Sequence, residues 1–292
     1  MNNTLRISEI VAGHDMEIGH GFHAKHFAEN AFRGLLDPVV MLDHFHMSVP
    51  TFDPHPHAGI SAVTYMFEDS ASPHVNYDSL GNRGPIHPGD LHWFVAGRGT
   101  VHTEQPEGKN PHVHALQIFV NLPAGKKLID PHAVHVDSVD IPEIHAAGVR
   151  VRVVTGESQE VRSPALLPEP FTLLDGFLEA DGIFEHSVPA GWNAMIYAVQ
   201  GRVSLSAGDD AMPQVLPEAS ALGVGGATTL RLAAAGSAHF VILSGPALNE
   251  PLVKHGPFVM NTQEQMNDRL QAYQRGEFGR LELPFKAVAG AD

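Results

Sequence analysis

The chain has 292 residues, no cysteine, and 33 acidic against 18 basic side chains, which gives a formal charge of −15 at pH 7. Without cysteine there can be no disulfide, thiolate catalysis or sulfur-ligated metal site, so any metal must be bound through nitrogen and oxygen. The acidic balance disfavours direct nucleic-acid binding, because such a surface repels phosphate backbones. We find no secretory signal and no apolar run long enough to cross a membrane, so we expect a cytoplasmic protein without membrane partners.

Short β-rich runs separated by Gly, Pro, Asn and Asp dominate the chain. The first half contains predicted strands at about 38–45, 59–67, 91–96, 100–104 and 113–121. Residues 122–148 have the character of a connection. The second half repeats the pattern, with predicted strands at about 149–154, 171–174, 194–199, 202–206, 228–232 and 238–243.

One convincing helix is predicted, over residues 262–275 near the C-terminus. Met266, Leu270 and Tyr273 follow helical spacing, Asn261 or Thr262 can cap the start, and Gly276 can end it. Frequent strands with one helix indicate an all-β protein of sandwiches or barrels, and the length allows two such units. We divide the chain into residues 1–130 and 131–292, with the helix in the second part and packed on the outside of a barrel.

Two short pairs of residues carry the chemical signal, His55-Pro56-His57 and His102-Thr103-Glu104. Residues i and i+2 of a strand point to the same face, so each pair can aim two donor atoms at one point. Three imidazoles and one carboxylate suit iron, nickel, copper, zinc, cobalt or manganese. Four protein ligands leave open positions on an octahedral ion, as a reactive site requires. Fe(II) is our first choice.

Other histidines are weaker candidates. His112-Val113-His114 repeats the spacing and is followed by His132 and His135, but no carboxylate is similarly placed in the sequence. We interpret these as a polar strand face and a loop. His87 and His92 flank a Pro-Gly-Asp turn and are interpreted as surface or hydrogen-bonding residues.

Three stretches resemble the pirin family of the cupin superfamily: HPHAGISAVTYMF, DSLGNRGPIHPGDLHWFVAGRGTVHTEQP and EPLVKHGPFVMNTQEQ. The resemblance implies a bicupin: two antiparallel, jelly-roll-like β-barrel domains with metal in the N-terminal one only. It implies that His55, His57, His102 and Glu104 bind one metal, usually iron. The place of the first ligand pair in the second half holds Trp192, Asn193 and Ala194, so no ligand set is expected there.

The chain departs from the family's usual Arg-Gly-Phe-Glu-Thr-Val after His-Pro-His. Ala58 stands in place of the Arg and Ser61 in place of the Glu. We expect the four ligands to remain. The absence of the usual Glu removes a charged group near the site, which we expect to alter hydrogen bonding around the metal, redox potential or substrate choice.

The resemblance leaves three functional hypotheses. The first is an oxygenase similar to quercetin 2,3-dioxygenase, which opens a flavonol or similar enol with O2 and uses Glu104 as the catalytic base. The second is a non-catalytic, redox-sensing iron protein that regulates a protein partner such as a transcription factor or metabolic enzyme. The third, and weakest, is a structural bicupin with a vestigial site.

Overall fold

Antiparallel strands make up most of the structure, a computed structural model that describes residues 4–208 and 212–281. The strands up to residue 146 are β1 Arg6–Ile7, β2 Val11–Ala12, β3 His14–Ile18, β4 Phe22–Ala28, β5 Val39–Met47, β6 His55–His57, β7 Ile60–Met66, β8 His74–Asp78, β9 Arg83–Ile86, β10 Leu91–Val95, β11 Thr100–Pro106, β12 Val113–Asn121, β13 His132–Val136 and β14 Glu143–Ala146. The later strands are β15 Val149–Thr155, β16 Glu157–Ser158, β17 Val161–Arg162, β18 Thr172–Leu178, β19 Ile183–Val188, β20 Trp192–Gln200, β21 Val203–Ala207, β22 Gln214–Leu216, β23 Ser220–Gly225, β24 Thr228–Ala233, β25 Ala238–Pro246, β26 Val253–His255 and β27 Phe258–Met260.

The predicted helix is confirmed as α1, Gln263–Gln274. Thr262 caps it through a capping box, in which the Thr262 side chain and the Gln265 side chain each bond the other residue's backbone N–H. Gly276 follows the helix with a φ of 79°, a left-handed conformation that suits glycine at a helix end. Short 3-10 turns occur at Glu29–Phe32, Ala124–Lys126 and Ser138–Asp140. No helix among the described residues is long and apolar enough to cross a membrane.

One compact unit comprises residues 14–26, 41–138 and 249–281, and is called the 41–138 unit below. It contains a seven-stranded sheet of order β13-β10-β7-β12-β5-β4-β3 and a four-stranded sheet of order β6-β11-β8-β9. Apolar side chains between the two sheets form its core: Phe22, Ala24, Phe45, Met47, Met66, Ile86, Val113 and Ala115. A second cluster packs α1 through Met266 and Ala272 against Ala58, Val101 and Phe258.

The other unit comprises residues 4–13, 27–40 and 139–248 and is called the 139–248 unit. Its large sheet has the order β1-β23-β20-β25-β18-β15-β14, with β2 also paired to β23, and its smaller sheet has the order β19-β24-β21-β22. The core lies between these sheets and contains, among others, Val151, Ile196, Phe240, Leu205 and Leu232.

All of the predicted strands exist, and the antiparallel, jelly-roll-like architecture is confirmed, although the sheets are open and do not close into barrels. Residues 122–148, interpreted as a connection, also contain the strands β13 and β14. Each compact unit combines separate stretches of chain, which the sequence did not suggest. The division into residues 1–130 and 131–292 stays a prediction.

Candidate metal centre

Two antiparallel strands of the 41–138 unit bring the predicted histidines together. β6 pairs with β11 in a register that places His55 opposite His102 and His57 opposite Thr100. β6 lies at the edge of its sheet, which tolerates Pro56 because an edge strand can lack a donor. His55 and His57 therefore point to the face that His102 shares.

The three imidazoles form a compact group. Ring centroids lie 4.9 Å apart for His55 and His57, 4.9 Å for His55 and His102, and 4.8 Å for His57 and His102. One ligand nitrogen from each ring lies within 4.8 Å of the other two. Imidazole–metal bonds of about 2.0–2.1 Å allow two ligand nitrogens to lie at most about 4.2 Å apart, so nitrogens at the upper end of this range would move slightly closer around an ion.

Neighbouring groups orient the rings. His55 Nδ1 lies 2.9 Å from the Asp53 carbonyl oxygen, so Nδ1–H donates and the Nε2 lone pair is available to a metal. The His102 ring stacks on Phe94 at 4.9 Å, and the His57 ring meets the edge of Phe119 at 5.1 Å. The site is thus built from rings whose directions are fixed by packing.

The buried nitrogens of this group lack protein partners. His57 is 1% exposed and His102 3% exposed. Both ring nitrogens of His57 and Nδ1 of His102 have no hydrogen-bond partner among the described residues. Buried polar atoms without partners are costly, and a metal ion would satisfy one nitrogen of each ring. The donor set therefore fits a divalent transition metal.

Burial keeps the rings neutral. It lowers the pKa of His55, and it holds the pKa values of His57 and His102 well below the usual range, with further lowering from the neighbouring imidazoles. The Pro257 carbonyl lies near His57 and offsets part of this lowering of the pKa, although its geometry with either ring nitrogen falls short of a hydrogen bond. Neutral imidazole is the form that binds metal.

Glu104 lies at the same site but outside the compact group. It follows His102 by two residues on β11 and lines the same cavity. Its Oε2 accepts a 2.6 Å hydrogen bond from Thr64 Oγ1, and it lies 3.5 Å from His74 Nδ1. Burial raises the pKa of Glu104 to about 7, and the Thr64 hydrogen bond opposes this rise. Among the described residues, the group with ligand atoms within 4.8 Å contains the three histidines without Glu104.

A cavity of about 140 Å³ opens beside these side chains. Its wall is largely apolar, and it is lined by Phe22, Met41, Asp43, Phe45, Met47, Phe52, His55, His57, His74, His102, Glu104, Gln117 and Phe119. No motif in the sequence points to His74, Thr64 or Gln117. Their positions depend on the pairing of β7, β8, β11 and β12, which no local motif encodes.

The two departures from the family pattern have defined positions. Ala58 is fully buried in the cluster of Val101, Phe258 and Met266, and its carbonyl accepts from Val259 N–H. The adjacent Gly59 has a φ of 75°, and a Cβ there would lie 2.0 Å from the Val259 carbonyl oxygen.

Ser61 is 1% exposed and lies three residues from Thr64 on β7, hence on the opposite face of that strand. A Glu at position 61 would therefore not share the face through which Thr64 reaches Glu104.

The weaker histidine candidates need two corrections. Carboxylates do accompany them: Asp69 bonds His114, and Asp90 and Asp137 flank His135. Asp69 and Asp90 are each 45 residues from the histidine they accompany, so spacing alone did not reveal them, whereas Asp137 follows His135 by two residues and this i, i+2 spacing was overlooked.

His92 is also not a surface residue. It is 6% exposed, its Nε2 has no hydrogen-bond partner among the described residues, and its ring stacks on Phe94 at 6.1 Å. His87, by contrast, is exposed, and so are His112 and His132.

Comparisons with known proteins place this fold in a family. The family model described as pirin matches residues 15–120, and the model of the pirin C-terminal cupin domain matches residues 173–279. Pirin of Homo sapiens is 34% identical over 246 residues, 84% of this chain and 83% of that protein. A pirin-like protein of Solanum lycopersicum is 35% identical over 245 residues, 84% of this chain and 82% of that protein. The chain belongs to the pirin family.

Solved structures agree with the predicted bicupin fold. A quercetin 2,3-dioxygenase from Acinetobacter baumannii superposes with a TM-score of 0.82 at 26% identity, covering 94% of this chain and 98% of that one. A bacterial pirin from Escherichia coli, solved in complex with nickel(II), superposes with a TM-score of 0.62 at 17% identity, covering 83% and 99%. The second likeness concerns the fold alone.

Proposed function

We propose that this protein is a mononuclear metal-dependent oxygenase of the quercetin 2,3-dioxygenase type, which opens a flavonol or similar enol with O2. The observation that supports this proposal is the convergence of three neutral imidazoles and one buried carboxylate on a single, largely apolar cavity. The 26% identity to the Acinetobacter baumannii dioxygenase over nearly the whole chain favours the same class of reaction.

In this proposal His55, His57 and His102 hold the ion, and Glu104 is the fourth ligand. Fe(II) is the first candidate, and nickel, cobalt, manganese, zinc and copper suit the same nitrogen and oxygen donors. A divalent iron ion bound there would supply Lewis-acid activation of the substrate's enol oxygen and assist electron transfer to O2. Nitrogen and oxygen ligation with open positions is what such chemistry requires.

Glu104 is also the proposed general base. It follows the ligand His102 by two residues on β11 and lines the same cavity, so its carboxylate would lie beside an enol oxygen bound there. The Thr64 hydroxyl fixes Oε2 at 2.6 Å, which orients the carboxylate toward the cavity it lines. Glu104 then takes the proton of the substrate's enol hydroxyl, and the substrate enters the reaction as its anion.

The cavity wall supports this role by excluding water. Phe22, Phe45 and Phe119 line it together with Met47. An apolar surrounding strengthens the electrostatic interactions of the enolate with the site. The volume of about 140 Å³ is below the roughly 300 Å³ of ordinary ligand pockets. We therefore expect only the reacting end of a flavonol to enter fully.

The test is oxygen uptake with quercetin, using metal-stripped protein reloaded anaerobically with Fe(II). Iron-dependent uptake is expected, together with loss of flavonol absorbance. His57→Ala should abolish uptake by removing a ligand. Glu104→Gln should reduce it even when iron is supplied in excess, since the amide cannot accept the proton.

A protein shown to hold one iron but unable to consume O2 with flavonols or other enols would contradict the enzyme. That result would favour the redox-sensing alternative, in which the iron state is read by a protein partner. Failure to bind Fe(II) at all would instead favour a vestigial site.

A further inference from the structure

A second cluster of histidines lies on the outer face of the seven-stranded sheet. On β5, Phe45 and Met47 line the cavity of the metal centre, so the alternating His44 and His46 point to the opposite face. On the neighbouring β12, Val113 and Ala115 lie in the core, so His114 points to the same outer face. The cluster of His44, His46 and His114 is called the outer-face cluster.

The nitrogens of this cluster converge. His44 Nε2 and His114 Nε2 are 2.7 Å apart, and the rings of His46 and His114 stack with centroids 4.3 Å apart. One ligand nitrogen from each of the three rings lies within 4.8 Å of the others. Nδ1 of His46 is buried and has no hydrogen-bond partner among the described residues.

Asp69 orients one of these rings. Its Oδ1 lies 2.7 Å from His114 Nδ1, so Nδ1–H donates to the carboxylate and Nε2 carries the lone pair. This lone pair faces His44 Nε2. A carboxylate that accepts a hydrogen bond from one ring nitrogen of a histidine is the usual arrangement around protein-bound metals, where it fixes the tautomer and raises the basicity of the other nitrogen.

The surroundings also keep the His46 ring in the neutral form. Burial lowers the pKa of His46 to about 4, with further lowering by His114, His112 and His23, while Asp69 opposes the effect. Neutral rings offer lone pairs that a cation can use.

We propose that His44, His46 and His114 form a second metal site, which binds a divalent transition-metal ion that favours imidazole, such as Zn²⁺, Ni²⁺ or Cu²⁺. Three histidine ligands leave a fourth position for water, as in open zinc sites. Bonds of about 2.0–2.1 Å in tetrahedral geometry require nitrogens about 3.3 Å apart, so the His44 and His114 rings separate by about 0.6 Å on binding. The proposal does not depend on the oxygenase activity.

The experiment titrates tag-free, metal-stripped protein with Zn²⁺ by calorimetry and with Co²⁺ by visible absorption. Wild-type protein should bind two ions per chain. The variant His57→Ala/His102→Ala should keep the outer-face ion, and the variant His44→Gln/His114→Gln should keep the ion of the metal centre. His20→Gln alters an exposed histidine outside both groups and should leave both ions in place.

Asp69→Asn provides a test that does not remove a ligand. The Asp69 side chain is 73% exposed, so the fold should tolerate the change, which thermal unfolding will check. Loss of the carboxylate partner should weaken the outer-face ion by about 10- to 100-fold and leave the other ion unchanged. The proposal is overturned if wild-type protein binds one ion that the His57→Ala/His102→Ala variant loses. In that case the His44–His114 contact is only a hydrogen bond between imidazoles.

Discussion

Replacing Thr64 by Val should raise the pKa of Glu104 further. The hydroxyl donates a 2.6 Å hydrogen bond to Oε2, and both side chains are buried, with Thr64 1% and Glu104 7% exposed. Val keeps nearly the same shape but cannot donate. A hydrogen bond to a charged group contributes about 1.5–3 kcal/mol, and 1.36 kcal/mol corresponds to one pKa unit, so the pKa should rise from about 7 to about 8 or 9.

The assay is a ¹³C NMR titration of glutamate side-chain carboxyls in metal-stripped protein, with Glu104→Gln used to assign the signal. Thr103→Val is the matched control, because the Thr103 hydroxyl is also buried but donates to the Phe52 carbonyl. It should leave the Glu104 titration in place. A Thr64→Val protein with an unchanged or lower Glu104 pKa would refute the reasoning.

Three further predictions concern stability. Burial lowers the pKa values of His92 and His186 to about 4, so the folded protein binds fewer protons than the unfolded chain between about pH 4 and 6.5. The free energy of unfolding is therefore unaffected by these two histidines above about pH 6.5 and decreases as the pH drops below that value. At pH 5 each histidine should have lowered it by about 2 kcal/mol. Thermal unfolding should show this loss, and a Tm constant from pH 7 to 5 would contradict it. Lys127→Met should lower the free energy of unfolding by about 2–5 kcal/mol in a urea titration, because Lys127 Nζ donates hydrogen bonds to the buried carbonyls of Gly59 and Val259. A decrease of less than about 1 kcal/mol would argue against a stabilising role for these hydrogen bonds. Thr262→Ala should cost about 1 kcal/mol in the same titration through loss of the helix cap, whereas Thr262→Ser should cost little; equal losses in the two variants would exclude capping as the cause.

The sequence predicted eleven of the 27 strands among the described residues, because alternation and turn residues are local signals. The same holds for α1, where Thr262 and Gly276 mark the ends, and for the His55, His57 and His102 group, where the i, i+2 spacing carries directly into geometry. The resemblance to pirins predicted the family and the bicupin fold, and the comparisons confirm both.

What the sequence could not predict depends on contacts between distant residues. Thr64 and His74 reach Glu104 only through the pairing of several strands. Asp69 reaches His114 from 45 residues away, so the histidine pair appeared to lack a carboxylate. His44 and His46 have the i, i+2 spacing of the selected pairs, and that signal was present but not selected.

The most direct test of the central claim measures carbon monoxide released per O2 consumed when the iron-loaded protein acts on quercetin. Ring opening by dioxygenation releases CO, so the account predicts equal amounts of CO formed and O2 consumed. Both should disappear in His57→Ala. Oxygen consumption without CO, or CO release that persists in His57→Ala, would contradict the proposed reaction at this site.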